Sequence, residues 1–180
     1  RPDAGAVIAR LAAEGYALEI LSGDRTDAVA AVAGALGIAR WAAGLTPTDK
    51  IARLETLKRE GRAVLMVGDG LNDAPALAAA HVSLSPVTAV HLSQAAADAV
   101  FLGDRLAPVA AALGVARRAK AAMVQNLWIS IIYNIIAVPV AVVGLVTPLI
   151  AALAMSGSSI IVTLNALRLR LDAGDGPERG

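Results

Sequence analysis

Met66-Val67-Gly68-Asp69-Gly70-Leu71-Asn72-Asp73-Ala74-Pro75-Ala76-Leu77 is the stretch on which the reading of this chain turns. The apolar run ahead of Gly68, residues 63–67, is short and ends at a glycine, so it reads as a buried strand. Such a strand delivers Asp69 to its carboxyl end, where open parallel sheets keep their sites. Gly68 and Gly70 let the backbone turn sharply and approach a ligand closely. Asn72 and Asp73 then open a helix that tolerates Pro75 in its first turn. Two carboxylates four residues apart, with an amide between them, suit a hard cation such as Mg²⁺ and its phosphate. An acidic turn capping a helix would account for a lone Gly-Asp-Gly; the longer string is far more specific.

Upstream, residues 3–14 place apolar side chains at helical spacing, and Gly15 stops them. Residues 17–21 read as a strand leading into Ser22-Gly23-Asp24. Residues 25–36 are helical, with Val29, Val32, Ala33 and Leu36 on one face. Strand, polar turn and helix together make a βα unit of a parallel sheet. Thr46-Pro47-Thr48-Asp49 is a helix start, with a hydroxyl at the cap, proline next and an acid in the first turn. That helix runs to about residue 60, burying Ile51, Leu54 and Leu57, and Gly61 closes it. Residues 81–84 and 99–102 are candidates for two further short strands. His81 and His91 read as surface or strand-end residues.

Three pieces now fit one chemistry. Ser22 at a strand end can donate to a phosphate oxygen, and Gly23 allows close approach. Lys50, at the start of its helix, can neutralise an acyl-phosphate as a movable point charge. Asp69 and Asp73 can hold Mg²⁺, which screens the phosphoryl oxygens during in-line transfer. Singly, Ser22 is a turn residue and Lys50 a solvated helix lysine. In this order they resemble three motifs of the haloacid dehalogenase-like fold that P-type ATPases use, and the string from Met66 resembles the hinge motif of those pumps. The resemblance implies that Ser22 (usually threonine there) contacts the phosphoryl group within a Ser22-Gly23-Asp24 motif. It implies that Lys50 balances the phosphate's charge and Asp69 binds Mg²⁺, with Asn72 and Asp73 supporting that site.

The family's Asp-Lys-Thr-Gly-Thr, whose aspartate is phosphorylated, does not occur in this sequence. That strand is central to the family's sheet, so unpaired strand edges and poor independent folding are expected. So is the absence of ATP hydrolysis by the chain alone. The sequence begins at Arg1, with neither an initiator methionine nor a signal peptide, and reads as a C-terminal fragment.

The chain has 180 residues, is 57% hydrophobic and carries a net charge of +1, which gives no argument for nucleic acid. There is no cysteine, so disulfides and thiolate metal sites are excluded within it. Hydrophobicity is unevenly spread, for residues 121–167 hold no Asp, Glu, Lys, Arg or His. This run has room for two spans of about 20 residues each, the length a ~30 Å hydrocarbon layer requires. The partition read from it is a soluble segment 1–106, a connecting helix 107–120 and a first span 121–143. A short turn 144–148, a second span 149–167 and a tail 168–180 follow. Arg117, Arg118 and Lys120 precede the first span, and Arg168 and Arg170 follow the second, so both ends are expected on the cytoplasmic side. The expected location is the inner (plasma) membrane, crossed more than once.

Polar residues inside such spans are costly in lipid. Gln125 and Asn126 lie near the cytoplasmic interface and need no special role. Gly157 and the serines around it can act as helix–helix glue. Met155 and Ser159, at i and i+4, share one helical face. A thioether and a hydroxyl facing Tyr133 and Asn134 make a soft, uncharged site that favours Cu(I) over Zn²⁺. Tyr133-Asn134 and Met155-x-x-Ser158-Ser159 look like the last two membrane helices of the copper-transporting heavy-metal ATPases (subclass IB). The resemblance implies that Tyr133, Asn134, Met155 and Ser159 belong to the copper sites. It also implies a Cys-Pro-Cys motif on another helix, absent from this sequence. Pro139 and the flow from Asn134 to Arg168 resemble the FixI-like branch serving cytochrome oxidase assembly.

The whole pattern therefore reads as an α/β haloacid dehalogenase-like partial phosphorylation domain, a Rossmannoid parallel sheet, followed by two transmembrane α-helices. The function it implies is ATP-driven export of a soft ion, Cu(I) first, through a phospho-aspartate, with Mg²⁺ and ATP as cofactors. Implied partners are the lipid membrane, the metal ion and copper chaperones. Three alternatives stay open. One is a pump for Zn²⁺, Co²⁺ or K⁺, another a membrane-anchored phosphatase of the same fold, and the third a non-enzymatic membrane remnant.

Overall fold

The computed structural model describes residues 1–89, 91–144 and 147–173, with side chains described up to residue 167 apart from 148, 151 and 154. The chain divides into two units, Arg1–Ala111 and Ala112–Gly180.

The first unit alternates helix and parallel strand, as its apolar periodicities require. Helix α1 (Ala4–Ala13) precedes strand β1 (Glu19–Leu21), helix α2 (Thr26–Leu36) and strand β2 (Arg40–Ala42). Helix α3 (Pro47–Arg59) leads to strand β3 (Leu65–Val67). A 3-10 turn over Leu71–Asp73 runs into helix α4 (Ala74–Ala79), followed by strand β4 (Val82–Pro86), helix α5 (His91–Ala96) and strand β5 (Ala99–Phe101). Gly15 and Gly61, read as helix stops, take φ of 85° and 75°, a left-handed region open to glycine without strain.

Two parallel sheets result. β1 pairs with β2, Glu19 facing Arg40 and Leu21 facing Ala42. β3, β4 and β5 form a second sheet in that order, with Leu65 facing Val82 and Leu84 facing Ala99. Among the described residues β1 and β3 each have a single strand partner. β2 was not expected as a strand. It has only three residues, opens on Arg40 and leaves Trp41 exposed, so it carries no alternation to read. α5 escaped for the same reason, being a six-residue helix with one buried residue, Ser93.

The core that seats the site is built from Leu54, Met66, Ala76 and Leu77, with Leu21, Val64 and Ala80 packed against it. It joins α3, β3 and α4 behind the loop that carries Asp69. β4 is buried through Ser83, Leu84, Ser85 and Pro86. Its Ser83 amide and hydroxyl both donate to Asp98 Oδ2, at 2.8 and 2.9 Å, which fixes the entry to β5.

One long-range contact sets where the long helix starts. The Leu106 and Ala107 amides donate to the two carboxylate oxygens of Asp3, at 3.0 and 2.8 Å. Asp3 thereby caps helix α6 (Ala107–Val142) from the opposite end of the unit, satisfying amides that a helix start leaves without partners. Partial burial raises the Asp3 pKa, but these two amides, its own backbone amide and the Arg105 charge together hold the carboxyl below its ordinary value.

α6 has 36 residues, about 54 Å at 1.5 Å per residue, so the stretches read as a connector and a first span form one uninterrupted helix. Among the described residues it is the one helix long and apolar enough to cross a membrane. In the second unit α6 is joined by helix α7 (Pro148–Ala173), whose apolar stretch Met155–Leu167 is shorter. Asn165 Nδ2 of α7 donates to Asn126 Oδ1 of α6 at 2.8 Å and reaches Gln125 Oε1 at 3.4 Å. Gln125 and Asn126, which needed no role on sequence grounds, thus hold α7 against α6. Large apolar side chains, among them Leu127, Trp128, Ile135, Leu153 and Ile160, stand exposed along both helices. α7 continues to Ala173, into the segment read as a tail. Residues 145 and 146 of the expected turn, the Arg168 and Arg170 side chains and residues 174–180 lie outside the described residues.

Candidate active site

Each expected phosphate-site residue lies at the carboxyl end of a strand or in the first turn of a helix. β1 ends at Leu21 and hands over to Ser22, whose amide donates to Ala42 O at 3.0 Å. Ser22 Oγ donates to Asp24 Oδ2 at 2.9 Å and accepts from the Asp24 amide at 3.1 Å. The hydroxyl is therefore oriented by Asp24 within a closed local ring. The Leu45 amide donates to Ser22 O at 3.0 Å, and a Cβ on Gly23 would lie 3.2 Å from Leu45 O. Glycine lets this loop pass close beneath its neighbour.

Lys50 sits in the first turn of α3, and the sequence of that turn explains why the turn forms. Thr46 Oγ1 accepts from the Asp49 amide at 3.2 Å, while Asp49 Oδ2 accepts from the Thr46 amide at 2.9 Å. This reciprocal box satisfies two amides that the helix start would otherwise leave open. The Thr46 hydroxyl and amide, both donating to it, hold the Asp49 carboxyl below its ordinary pKa.

Lys50 itself is only 6% exposed, which rules out a solvated helix lysine. Its Nζ donates to Asp73 Oδ1 at 2.6 Å, a short charge-assisted contact shielded on both sides. Asp73 Oδ2 accepts from the Gly70 amide at 3.2 Å, closing the turn that carries the acid. A Cβ on Gly68 would come within 2.8 Å of Asp73 Cβ, so this position needs glycine for space. Ser93 Oγ of α5, fully buried, donates to Gly70 O at 2.5 Å and pins the loop from behind. No pattern in the sequence pointed to Ser93.

Asp69 is the open member of the group. Its side chain is 64% exposed, and Oδ2 accepts from Arg1 Nη2 at 3.2 Å. Asn72 is exposed beside it. Among the described residues no group of three acidic, histidine or cysteine side chains is gathered for a metal ion. An accessible carboxylate at a strand end fits Mg²⁺ all the same, because that ion keeps several waters and takes one or two carboxylates plus phosphate oxygens. Ser22 with Asp24, Lys50 with Asp73, and Asp69 with Arg1 are three separate contacts rather than one network among the described residues.

On the helix pair, Tyr133 of α6 lines a cavity of about 310 Å³ with Ile129, Gly157, Ser158 and Ile161. Ser158 rather than Ser159 shares that cavity with Tyr133. Asn134 Nδ2 donates to Ser130 O of its own helix at 2.8 Å. Ser159 O accepts from Thr163 Oγ1 at 2.8 Å, and Met155 is 70% exposed. Met155 and Ser159 are both exposed on α7.

The family description of haloacid dehalogenase-like hydrolases matches residues 1–81. The chain is 67% identical over 173 residues to the nitrogen fixation protein FixI of Bradyrhizobium diazoefficiens, covering 96% of this chain and 24% of that protein. It is 38% identical over 176 residues to the "Probable copper-exporting P-type ATPase V" of Mycobacterium tuberculosis, covering 98% of this chain and 23% of that protein. A solved zinc-transporting PIB-type ATPase superposes with a TM-score of 0.85 at 34% identity, over 94% of this chain and 28% of that one. The chain thus spans about a quarter of the length of the curated relatives it matches. With a haloacid dehalogenase-like unit leading into an apolar helix, the chain is similar over nearly its whole length to heavy-metal P-type ATPases.

Proposed function

We propose that the chain supplies the Mg²⁺ and phosphate-handling half of the phosphorylation domain, and two membrane helices, of an ATP-driven pump that exports Cu(I). The observation that carries this reading is the buried Lys50–Asp73 contact, which holds a cation ready beside the exposed Asp69 loop. A lysine kept out of solvent and matched to one carboxylate is poised to move its charge to an incoming acyl-phosphate. The phosphorylated aspartate lies in a part of the protein that precedes this sequence.

In this reading Ser22, oriented by Asp24, donates to a phosphoryl oxygen, and Gly23 gives it room. Lys50 balances the phosphoryl charge, while Asp73, steadied by the Gly70 amide, keeps Lys50 in place. Asp69 holds Mg²⁺, with Asn72 and Asp73 supporting it; the bound ion supplies charge neutralisation at the transferring phosphoryl group. Every other contribution comes from side chains that orient, shield and pre-position charge.

The transported ion is assigned to Tyr133, Asn134, Met155 and Ser159, with α6 and α7 both spanning the membrane. Support for Cu(I) is the soft, uncharged donor set and the absence of any Asp, Glu, Lys, Arg or His over residues 121–167. A zinc pathway would call for a charged ligand at that depth. The membrane is the inner (plasma) membrane, with the soluble unit and the end of α7 on the cytoplasmic side, where ATP and copper chaperones meet it.

Asp69→Asn in the full-length protein tests the phosphate site. Mg²⁺-dependent ATP turnover should fall to background, and wild-type turnover in that variant would overturn the assignment.

A further inference from the structure

Arg53 and Glu19 form a fork that none of the motifs contains. Arg53 Nε donates to Glu19 Oε1 at 2.7 Å, and Arg53 Nη2 donates to Oε2 at 2.9 Å. Both side chains are largely sheltered, Glu19 more so. The Glu19 carboxylate, bonded to the guanidinium, raises the Arg53 pKa above its ordinary value despite partial burial. Two parallel charge-assisted bonds fix orientation as well as distance.

Position gives the fork its meaning. Glu19 is the first residue of β1, three residues ahead of Ser22. Arg53 lies three residues beyond Lys50 on α3, and therefore on the same side of that helix. The apolar packing of α3 runs through Leu54 to Met66, Ala76 and Leu77 of β3 and α4, with Leu21 at the far end of β1 packed against that cluster. The fork is the polar tie that fastens α3 to the other sheet, where Ser22 sits.

We propose that Glu19 and Arg53 are positioning residues for phosphoryl transfer, holding the Lys50 ammonium in register with the Ser22 hydroxyl. The proposal rests on the phosphate-site reading above. Without the fork, α3 keeps its seat on α4 and its apolar contact with Leu21 of β1 but loses the directional hold on the start of β1, and Lys50 shifts with the helix. Displacements near 1 Å suffice to cost about 100-fold in rate.

The test is steady-state ATP turnover by the full-length protein carrying Arg53→Lys, which keeps the charge and loses the fork. The expected result is a fall in kcat of about tenfold or more, with KM for ATP and the thermal midpoint unchanged. The swapped pair Glu19→Arg with Arg53→Glu should recover most of that loss, which a purely packing role would not. An unchanged kcat in Arg53→Lys overturns the proposal. So does a kcat loss that follows a lowered thermal midpoint and is not recovered by the swap. Asp69→Asn, measured alongside, separates the two levels. If it is inactive while Arg53→Lys is normal, the positioning role alone fails; if it too is fully active, the phosphate site fails.

Discussion

Lys50 Nζ lies 2.6 Å from Asp73 Oδ1, joining the first turn of α3 to the turn that follows β3. Removing one partner of a shielded pair leaves the other charge uncompensated, at a cost of about 3–5 kcal/mol. Lys50→Ala should therefore lower the unfolding free energy by about that amount. Adding Asp73→Ala to Lys50→Ala should cost less than the two single changes summed. Denaturant unfolding of the four proteins checks this, and simple additivity would mean the pair is not coupled.

Gly68→Ala tests the close approach beneath Asp73. The new Cβ would meet Asp73 Cβ at 2.8 Å, and neither atom sits at the end of a flexible side chain. The turn must shift, costing about 1–3 kcal/mol, and Asp73 must move off Lys50. A thermal midpoint equal to wild type would show that the turn is slack.

Asp3→Ala should destabilise the start of α6 by about 0.5–2 kcal/mol, the usual worth of a cap. The sign with pH follows from the Asp3 carboxyl being held below its ordinary value in the folded protein. Its contribution is complete above the unfolded pKa, about 4, and is lost as pH falls through the lower folded value. The stability gap between wild type and Asp3→Ala should thus be flat near neutrality and close under acid. A gap unchanged down to pH 2 would contradict the cap.

Features fixed within a few residues were legible without the structure. Thr46 to Asp49 showed its capping box because box chemistry is local, and Met66 to Asp73 showed a strand end because an apolar run met two glycines. β2 and α5 were not legible, since three and six residues hold too little periodicity. The Asp3 cap on α6, the Ser93 anchor on Gly70 and the Glu19–Arg53 fork join residues far apart in sequence, and spacing says nothing of such pairs. Lys50 was legible as a position but not as a buried group, because burial depends on what packs over it. On α6 and α7, Tyr133 and Ser158 share a cavity while Met155 stands exposed, an arrangement set by helix rotation that residue spacing alone leaves open.

Met155→Leu nearly conserves volume, so the helix pair should keep its stability within about 1.5 kcal/mol. Loss of the thioether should weaken Cu(I) stimulation of ATP hydrolysis at least severalfold. Undiminished stimulation in that variant would make Met155 a packing residue only.

The most direct measurement is ATP hydrolysis by the purified full-length protein in lipid vesicles, titrated in parallel with Cu(I) and Zn²⁺ at fixed Mg²⁺. Stimulation by Cu(I) should saturate, Zn²⁺ should give none, and Asp69→Asn should lose both basal and stimulated turnover. Stimulation by Zn²⁺ alone, or turnover indifferent to either ion, would contradict the Cu(I) assignment.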